Sequence, residues 1–123
     1  GVRKVVLDAV QKAQGQGCAP GILGVAIGGD RGSSYIKSKE VLFSEMGTRN
    51  ADPKIAELEE RLTSEANEMG IGPMGFGGKT TVLDTKIVGL SRLPASYFVS
   101  VSYMCWAYRR RKMTVKGEEV IYD

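Results

Sequence analysis

The fold of this chain follows mainly from one apolar segment flanked by glycines, Gly17-Cys18-Ala19-Pro20-Gly21-Ile22-Leu23-Gly24-Val25-Ala26-Ile27-Gly28-Gly29. Its almost wholly apolar part, 22–27, predicts a strand that is covered on both faces. The glycines and proline before this strand predict a tight turn. Cys18 is therefore expected on irregular backbone at the mouth of a sheet, a place where thiolate ligands of soft metals and iron–sulfur clusters are often found.

Periodic patterns predict the other elements. Apolar residues recur at helical spacing in three segments, and Asp52-Pro53 marks the start of the third as N-cap and first helical residue. Residues rich in Thr, Val and Ile, or alternating in polarity, predict two more strands, and Lys116-Gly117 is expected at the turn of a C-terminal hairpin. The expected helices are 2–14, 33–46 and 53–69, and the further strands are 80–90 and 97–103. With no linker or repeat, residues 1–123 are predicted to form a single α/β (α+β) domain, a mixed sheet flanked by helices.

Composition excludes several classes of protein. The chain has 123 residues, 42% hydrophobic and 25% charged, which is ordinary for a soluble globular protein. No apolar run approaches the roughly 20 residues of a membrane span, and no signal peptide is visible, so a cytoplasmic protein without a membrane partner is expected. The net charge of +3 arises largely from residues 109–112. Such a local run without interleaved aromatic residues argues against nucleic-acid binding.

A glycine-rich run resembles a phosphate loop but does not match one. Gly77-Gly78-Lys79-Thr80 would need a glycine six positions before the lysine, and Pro73 stands there. A strand is also expected after the lysine, where a phosphate loop has a helix. The glycines are therefore expected to allow a tight turn or a close approach of backbone, and successive N–H groups in such a turn can bind a carboxylate.

The two cysteines leave two main alternatives open, structural residues or cluster ligands. A lone cysteine is usually a small buried hydrophobic residue, which suits Cys105 better than Cys18. The absence of histidine and of a C-x-x-C motif argues against a zinc site, a Cys–His nucleophile and a thiol redox centre. Two thiolates from distant segments can hold part of an iron–sulfur cluster, which needs three or four ligands. The alternative function is a non-catalytic assembly or binding domain with structural cysteines.

Three motifs in order carry a resemblance to a known family. They are 17–29, then Gly70-Ile71-Gly72-Pro73-Met74-Gly75-Phe76-Gly77-Gly78-Lys79-Thr80-Thr81, then Ala95-Ser96-Tyr97 with Cys105-Trp106-Ala107-Tyr108-Arg109-Arg110. From about Val2 to Met113 the chain resembles the C-terminal part of the α subunit, or N-terminal domain, of the iron–sulfur hydro-lyases, the class I fumarases and L(+)-tartrate dehydratases. A start at Gly1 instead of Met is what a fragment would show.

The resemblance implies a [4Fe–4S] cofactor held by three cysteines. Cys18 matches the second ligand and Cys105 the third, while the first has no counterpart in this chain. It further implies reversible dehydration of a four-carbon 2-hydroxy dicarboxylate (malate to fumarate, or tartrate to oxaloacetate), with one iron acting as Lewis acid. A β subunit or C-terminal domain is the implied partner in a homo- or hetero-oligomer. The 123-residue chain alone is expected to be inactive.

One position departs from the family pattern. Fumarases of this type carry a histidine about twelve residues before the third cysteine, and that position is Leu93 here. Leucine can neither transfer a proton nor bind a carboxylate, so no catalytic residue is assigned, and a difference in substrate is favoured. Arg92 and Lys79 are the candidate substrate-binding residues. For Lys79, a structural salt bridge is the alternative.

Overall fold

The computed structural model describes residues 1–123, in two sheets and three helices. The helices are α1 (Val2–Ala13), α2 (Arg31–Glu40) and α3 (Pro53–Glu68), and the strands are β1 (Gly21–Gly29), β2 (Val82–Arg92), β3 (Val99–Met104), β4 (Met113–Lys116) and β5 (Glu119–Tyr122). The main sheet has the order β2-β1-β3. Because β2 is parallel to β1 and β3 is antiparallel to it, the sheet is mixed. The predicted fold class is confirmed.

Strand β1 is the centre of the fold. Its residues from 21 to 26 are all buried, because helices α1 and α3 pack on one face of the sheet and α2 on the other. The main core joins apolar side chains of α1, α3, β1, β2 and the connection before β2: Val6, Val10, Leu23, Val25, Leu62, Ala66, Ile71, Val82 and Ile87. The apolar run that predicted a doubly covered strand is therefore explained by helices on both faces.

Helix α2 is shorter than expected. Its N-cap is Asp30, whose side chain accepts a hydrogen bond from the Ser33 N–H while the Ser33 hydroxyl accepts one from the Asp30 N–H. The helix then tightens at Glu40 into a 3₁₀ turn over Val41–Phe43. The segment predicted as one helix, 33–46, thus contains a helix, a turn and irregular backbone. Helical periodicity alone does not separate an α-helical end from a following 3₁₀ turn.

The outer edge of β2 is covered by polar side chains. Asn67 accepts hydrogen bonds from the N–H groups of Thr81 and Val82 and donates to the Val82 carbonyl. Glu59 accepts from the Ile87 N–H, and Asn50 donates to the Ile87 carbonyl. An edge strand otherwise presents unpaired backbone groups, so these side chains determine that the sheet ends at this edge.

The C-terminal hairpin forms as predicted. Strands β4 and β5 pair with each other only, in a two-stranded sheet. Every residue of both strands is exposed.

Candidate metal centre

The sheet brings the two cysteines to one end. In the antiparallel pairing of β1 and β3, Ile22 lies opposite Met104. Cys18 comes just before the start of β1, and Cys105 comes directly after the end of β3. Both thiols are free and half-buried. We call this edge, where β1 and β2 begin and β3 ends, the thiol end of the sheet.

Cys18 lies in an uncommon backbone conformation. Its φ of 53° and ψ of 52° are in the left-handed region, which few residues other than glycine adopt. The Cys18 N–H donates to the Gly15 carbonyl at 3.1 Å. The next residue, Ala19, is buried and its carbonyl accepts a hydrogen bond from the Met74 N–H at 2.8 Å. The strained turn is thus held by hydrogen bonds on both sides of the cysteine.

The second glycine-rich run, 70–81, lies at the same end because β2 is parallel to β1. Its path is closed by hydrogen bonds from Gly72 N–H to the Thr81 hydroxyl at 3.0 Å and from Gly77 N–H to the Ile71 carbonyl at 2.8 Å. A side chain at Gly15 would collide with the Met74 carbonyl, so the run packs directly on the Cys18 turn. A strand follows it, as predicted, and the absence of a helix there agrees with the rejection of a phosphate loop.

Three consecutive N–H groups at the tip of this run, those of 78–80, donate to no group of the chain. The Lys79 side chain beside them is exposed and forms no ion pair. Neighbouring backbone N–H groups with a lysine can bind an anion.

Tyr103 lies at the thiol end, within electrostatic reach of both cysteines. Burial raises the pKa of its phenol, and negative charge on Cys18 and on Cys105 raises it further. The phenol donates a long hydrogen bond, 3.4 Å, to the Thr81 carbonyl, which also accepts from the Gly21 N–H. Both thiols are therefore near enough to this aromatic side chain to act on it electrostatically.

Arg92 and Leu93 lie away from the thiol end. Arg92 is the last residue of β2, and its partner in β1 is Gly29 at the far end of that strand. The length of β2 separates it from the thiol end by about 30 Å, at about 3.3 Å per residue. Leu93, 45% exposed, follows directly. Within one chain the structure brings Cys18, Cys105 and Lys79 to the same end of the sheet and leaves Arg92 at the other.

The basic run after Cys105 is largely engaged within the chain. Arg110 donates to the carbonyls of Leu42, Phe43 and Ser44 and so caps the turn that follows α2. The Arg109 guanidinium lies 4.7 Å from the centre of the Trp106 ring. These contacts engage two of the four basic residues of 109–112 with groups of the chain itself.

The donor set at the thiol end fits part of a soft-metal site. Two free thiols with no histidine or carboxylate beside them are ligands typical of iron–sulfur clusters. No group of three or more His, Cys, Asp or Glu side chains that could hold a metal ion occurs in the chain. The thiol end therefore offers two thiols and not a complete ligand set for a metal or a cluster. None of the three helices has the length and apolar character of a membrane-spanning segment.

The sequence of this chain matches a known protein family over most of its length. Residues 1–114 match the family described as fumarate hydratase (Fumerase). The chain belongs to this family. It is 53% identical over 110 residues to a Geobacillus stearothermophilus protein named "Putative fumarate hydratase class I". It is 34% identical over 118 residues to the L(+)-tartrate dehydratase subunit alpha of Escherichia coli K12. The resemblance stated from the motifs is thus confirmed.

The chain spans less than half the length of each of these two relatives. The matched regions cover 89% and 96% of this chain but 21% and 39% of the two relatives. Membership in the family is therefore established, while the reaction and the partners of the whole protein are matters for proposal.

Sequence reasoning missed Tyr103 and Asn67. Tyr103 shares strand parity with Cys105, so the alternation of β3 contained a signal that both side chains lie on one face. Asn67 gave no such signal, because a polar residue near the end of an amphipathic helix is normally solvated.

Proposed function

We propose that this chain forms part of an iron–sulfur hydro-lyase that reversibly dehydrates a four-carbon 2-hydroxy dicarboxylate, malate or tartrate. The observation that carries the proposal is the convergence of Cys18 and Cys105 at one end of the sheet, in a member of the fumarate hydratase family. Both are proposed as ligands of a [4Fe–4S] cluster, with the remaining ligand from outside this chain. When bound, the cluster would supply a Lewis-acidic iron for loss of the substrate hydroxyl.

The chain's own residues support binding of a dicarboxylate at the thiol end. The free N–H groups of 78–80 and the Lys79 ammonium are proposed to bind one substrate carboxylate. Because Arg92 is about 30 Å away along β2, it reaches this substrate only from a second chain. No residue is assigned as the proton-transfer group, since the position that carries histidine in the fumarases is Leu93.

The test uses the full-length natural protein that contains this chain, reconstituted anaerobically with iron and sulfide. Cys18→Ser and Cys105→Ser are each expected to lower iron content and visible absorption. Ser100→Ala, a small change in the middle of β3 with no side-chain hydrogen bond lost, is the matched control and is expected to match the wild type. A cluster that is indifferent to both serines would contradict the ligand assignment and favour the assembly or binding domain.

Substrate contact is tested by steady-state kinetics with malate, fumarate and tartrate. Lys79→Met is expected to raise KM about tenfold, the ratio given by loss of about 1.4 kcal/mol of binding. Lys54→Met, which removes an exposed lysine from the first turn of α3, is expected to leave KM unchanged. The isolated 123-residue chain is expected to show no turnover with any of the three acids.

The proposed partner is a β subunit or a C-terminal domain of the same enzyme. The relative from Escherichia coli is named an alpha subunit, and this chain contains only two of the cluster ligands. Co-purification of a second polypeptide with the full-length protein, or a second domain in its sequence, would support this part of the proposal.

A further inference from the structure

The Tyr103 ring occupies space that two glycines leave free. A Cβ atom at Gly17 or at Gly21 would overlap the ring at Cε1. Neither glycine has a positive φ, so backbone conformation does not require glycine there. Glycine is required there because the ring fills the space that a larger side chain would need. Gly17 and Gly21 flank the Cys18 turn, and the ring therefore packs against the turn at both of its ends.

The same ring is fixed to the end of β3. Tyr103 pairs with Leu23 of β1 in the sheet. Cys105 has extended backbone, φ −68° and ψ 168°, so its side chain lies on the same face as Tyr103, two residues before it. One rigid aromatic side chain thus contacts the segment that carries Cys18 and stands two residues before Cys105 in the chain.

The Cys18 turn needs such support. Its left-handed backbone is a conformation that persists where the surrounding structure enforces it. The hydrogen bond from Cys18 N–H to Gly15 fixes one side of the turn. On the side toward β3, the Tyr103 ring is the packing partner.

We propose that Tyr103 is a positioning residue that sets the separation of the Cys18 and Cys105 thiols through the packing of its ring on Gly17 and Gly21. This inference rests on the proposed function in one respect: the distance between the two thiols is taken to suit the binding of an iron–sulfur cluster. The ring acts by shape, so its hydroxyl is dispensable. Tyr103→Phe is therefore expected to behave as the wild type, and Tyr103→Ala is not.

The first experiment needs no cluster. The reduced, metal-free full-length protein is treated with iodoacetamide, and the alkylation rates of Cys18 and Cys105 are measured by mass spectrometry of peptides. Tyr103→Ala is expected to raise the Cys18 rate about tenfold. Tyr103→Phe and Tyr97→Ala, which removes an exposed tyrosine before β3, are expected to stay within twofold of the wild type.

A double-mutant cycle tests the contact itself. Gly17→Ala is expected to raise the Cys18 rate when Tyr103 is present and to add nothing in the Tyr103→Ala background, because the overlap is then gone. If Tyr103→Ala fails to fold, the Gly17→Ala variant tests the proposal by itself. An unchanged alkylation rate of Cys18 in that variant would overturn it. Additive effects of the two substitutions would also overturn it.

The second experiment is reconstitution with iron and sulfide, read by iron content and electron paramagnetic resonance. A changed signal in Tyr103→Ala that Tyr103→Phe restores supports positioning. If the wild type takes up no cluster but the alkylation pattern is as expected, the proposed function fails and the positioning role stands. If a cluster forms normally in all variants and the alkylation rates do not differ, the positioning role is wrong and the proposed function stands.

Discussion

Substitution of Glu59 by leucine tests whether side chains of α3 cover the edge of the sheet. Glu59 is 2% exposed, and its carboxylate accepts hydrogen bonds from the Ile87 N–H at 2.8 Å and the Asn50 N–H at 3.0 Å. The variant leaves both N–H groups without a partner. A matched control is Glu57→Leu, which replaces an exposed glutamate of the same helix.

The magnitude follows from the contacts. Each hydrogen bond to a charged acceptor contributes about 1.5–3 kcal/mol, and burial of the leucine side chain offsets about 2 kcal/mol of the loss. We expect the free energy of unfolding to fall by about 1–4 kcal/mol, a large part of the 5–15 kcal/mol that is usual for a domain. Glu57→Leu is expected to stay within about 0.5 kcal/mol of the wild type.

Two assays measure this effect. Urea unfolding followed by circular dichroism gives the change in free energy, and hydrogen exchange gives the protection of the Ile87 amide. Glu59→Leu should expose this amide to faster exchange, whereas Glu57→Leu should not. Equal stability of the two variants, with unchanged protection at Ile87, would refute the claim that Glu59 covers the edge strand.

Three further predictions concern the packing around the sheet. Burial acts to raise the pKa of Asp84, but hydrogen bonds to its carboxylate outweigh burial and lower this pKa. The contribution of Asp84 to folding stability is therefore complete above the pKa of an unfolded aspartate, about 3.9, and is lost as the pH falls below it. Urea unfolding between pH 2 and 6 checks this, and Asp84→Asn should flatten the dependence. Gly24→Ala should cost about 1–3 kcal/mol in thermal unfolding, because its Cβ would overlap the Ser38 carbonyl; Gly1→Ala, with open space around it, should cost nothing. Asn67→Ala should speed hydrogen exchange at the Thr81 amide, and unchanged exchange would show that this side chain does not close the loop.

The elements of this fold were predictable where one face of a segment is uniformly apolar. Helix α3 follows its predicted stripe, since Leu62 and Ala66 are buried and Ile55 and Leu58 pack against the core. Glu59 escaped prediction because helical periodicity assigns each charged residue to solvent. Its partner is a backbone N–H of β2, and the register between a helix and a strand edge is a tertiary property that periodicity does not contain.

The position of the thiol end was predictable only in part. Cys18 could be placed at the mouth of β1 from the turn before it, but Cys105 needed the strand order and the antiparallel sense of β3, which no local pattern gives. For the same reason Arg92 and Lys79 appeared equivalent in the sequence. The parallel sense of β1 and β2 places Lys79, before β2, with the cysteines and places Arg92, at the end of β2, on the far side.

The packing at the thiol end affects how the result of a Cys18 substitution is interpreted. Three segments meet at it, and two of them are held by groups that carry no chemistry. Asn67 and Thr81 close the glycine-rich run, and the Gly15 carbonyl supports the Cys18 turn. Loss of a cluster in a Cys18 variant would therefore arise either from the missing thiolate or from a displaced turn. Alkylation of Cys105 separates the two, because a displaced turn frees the Tyr103 ring and alters Cys105 as well, whereas loss of the Cys18 thiolate alone leaves the Cys105 rate unchanged.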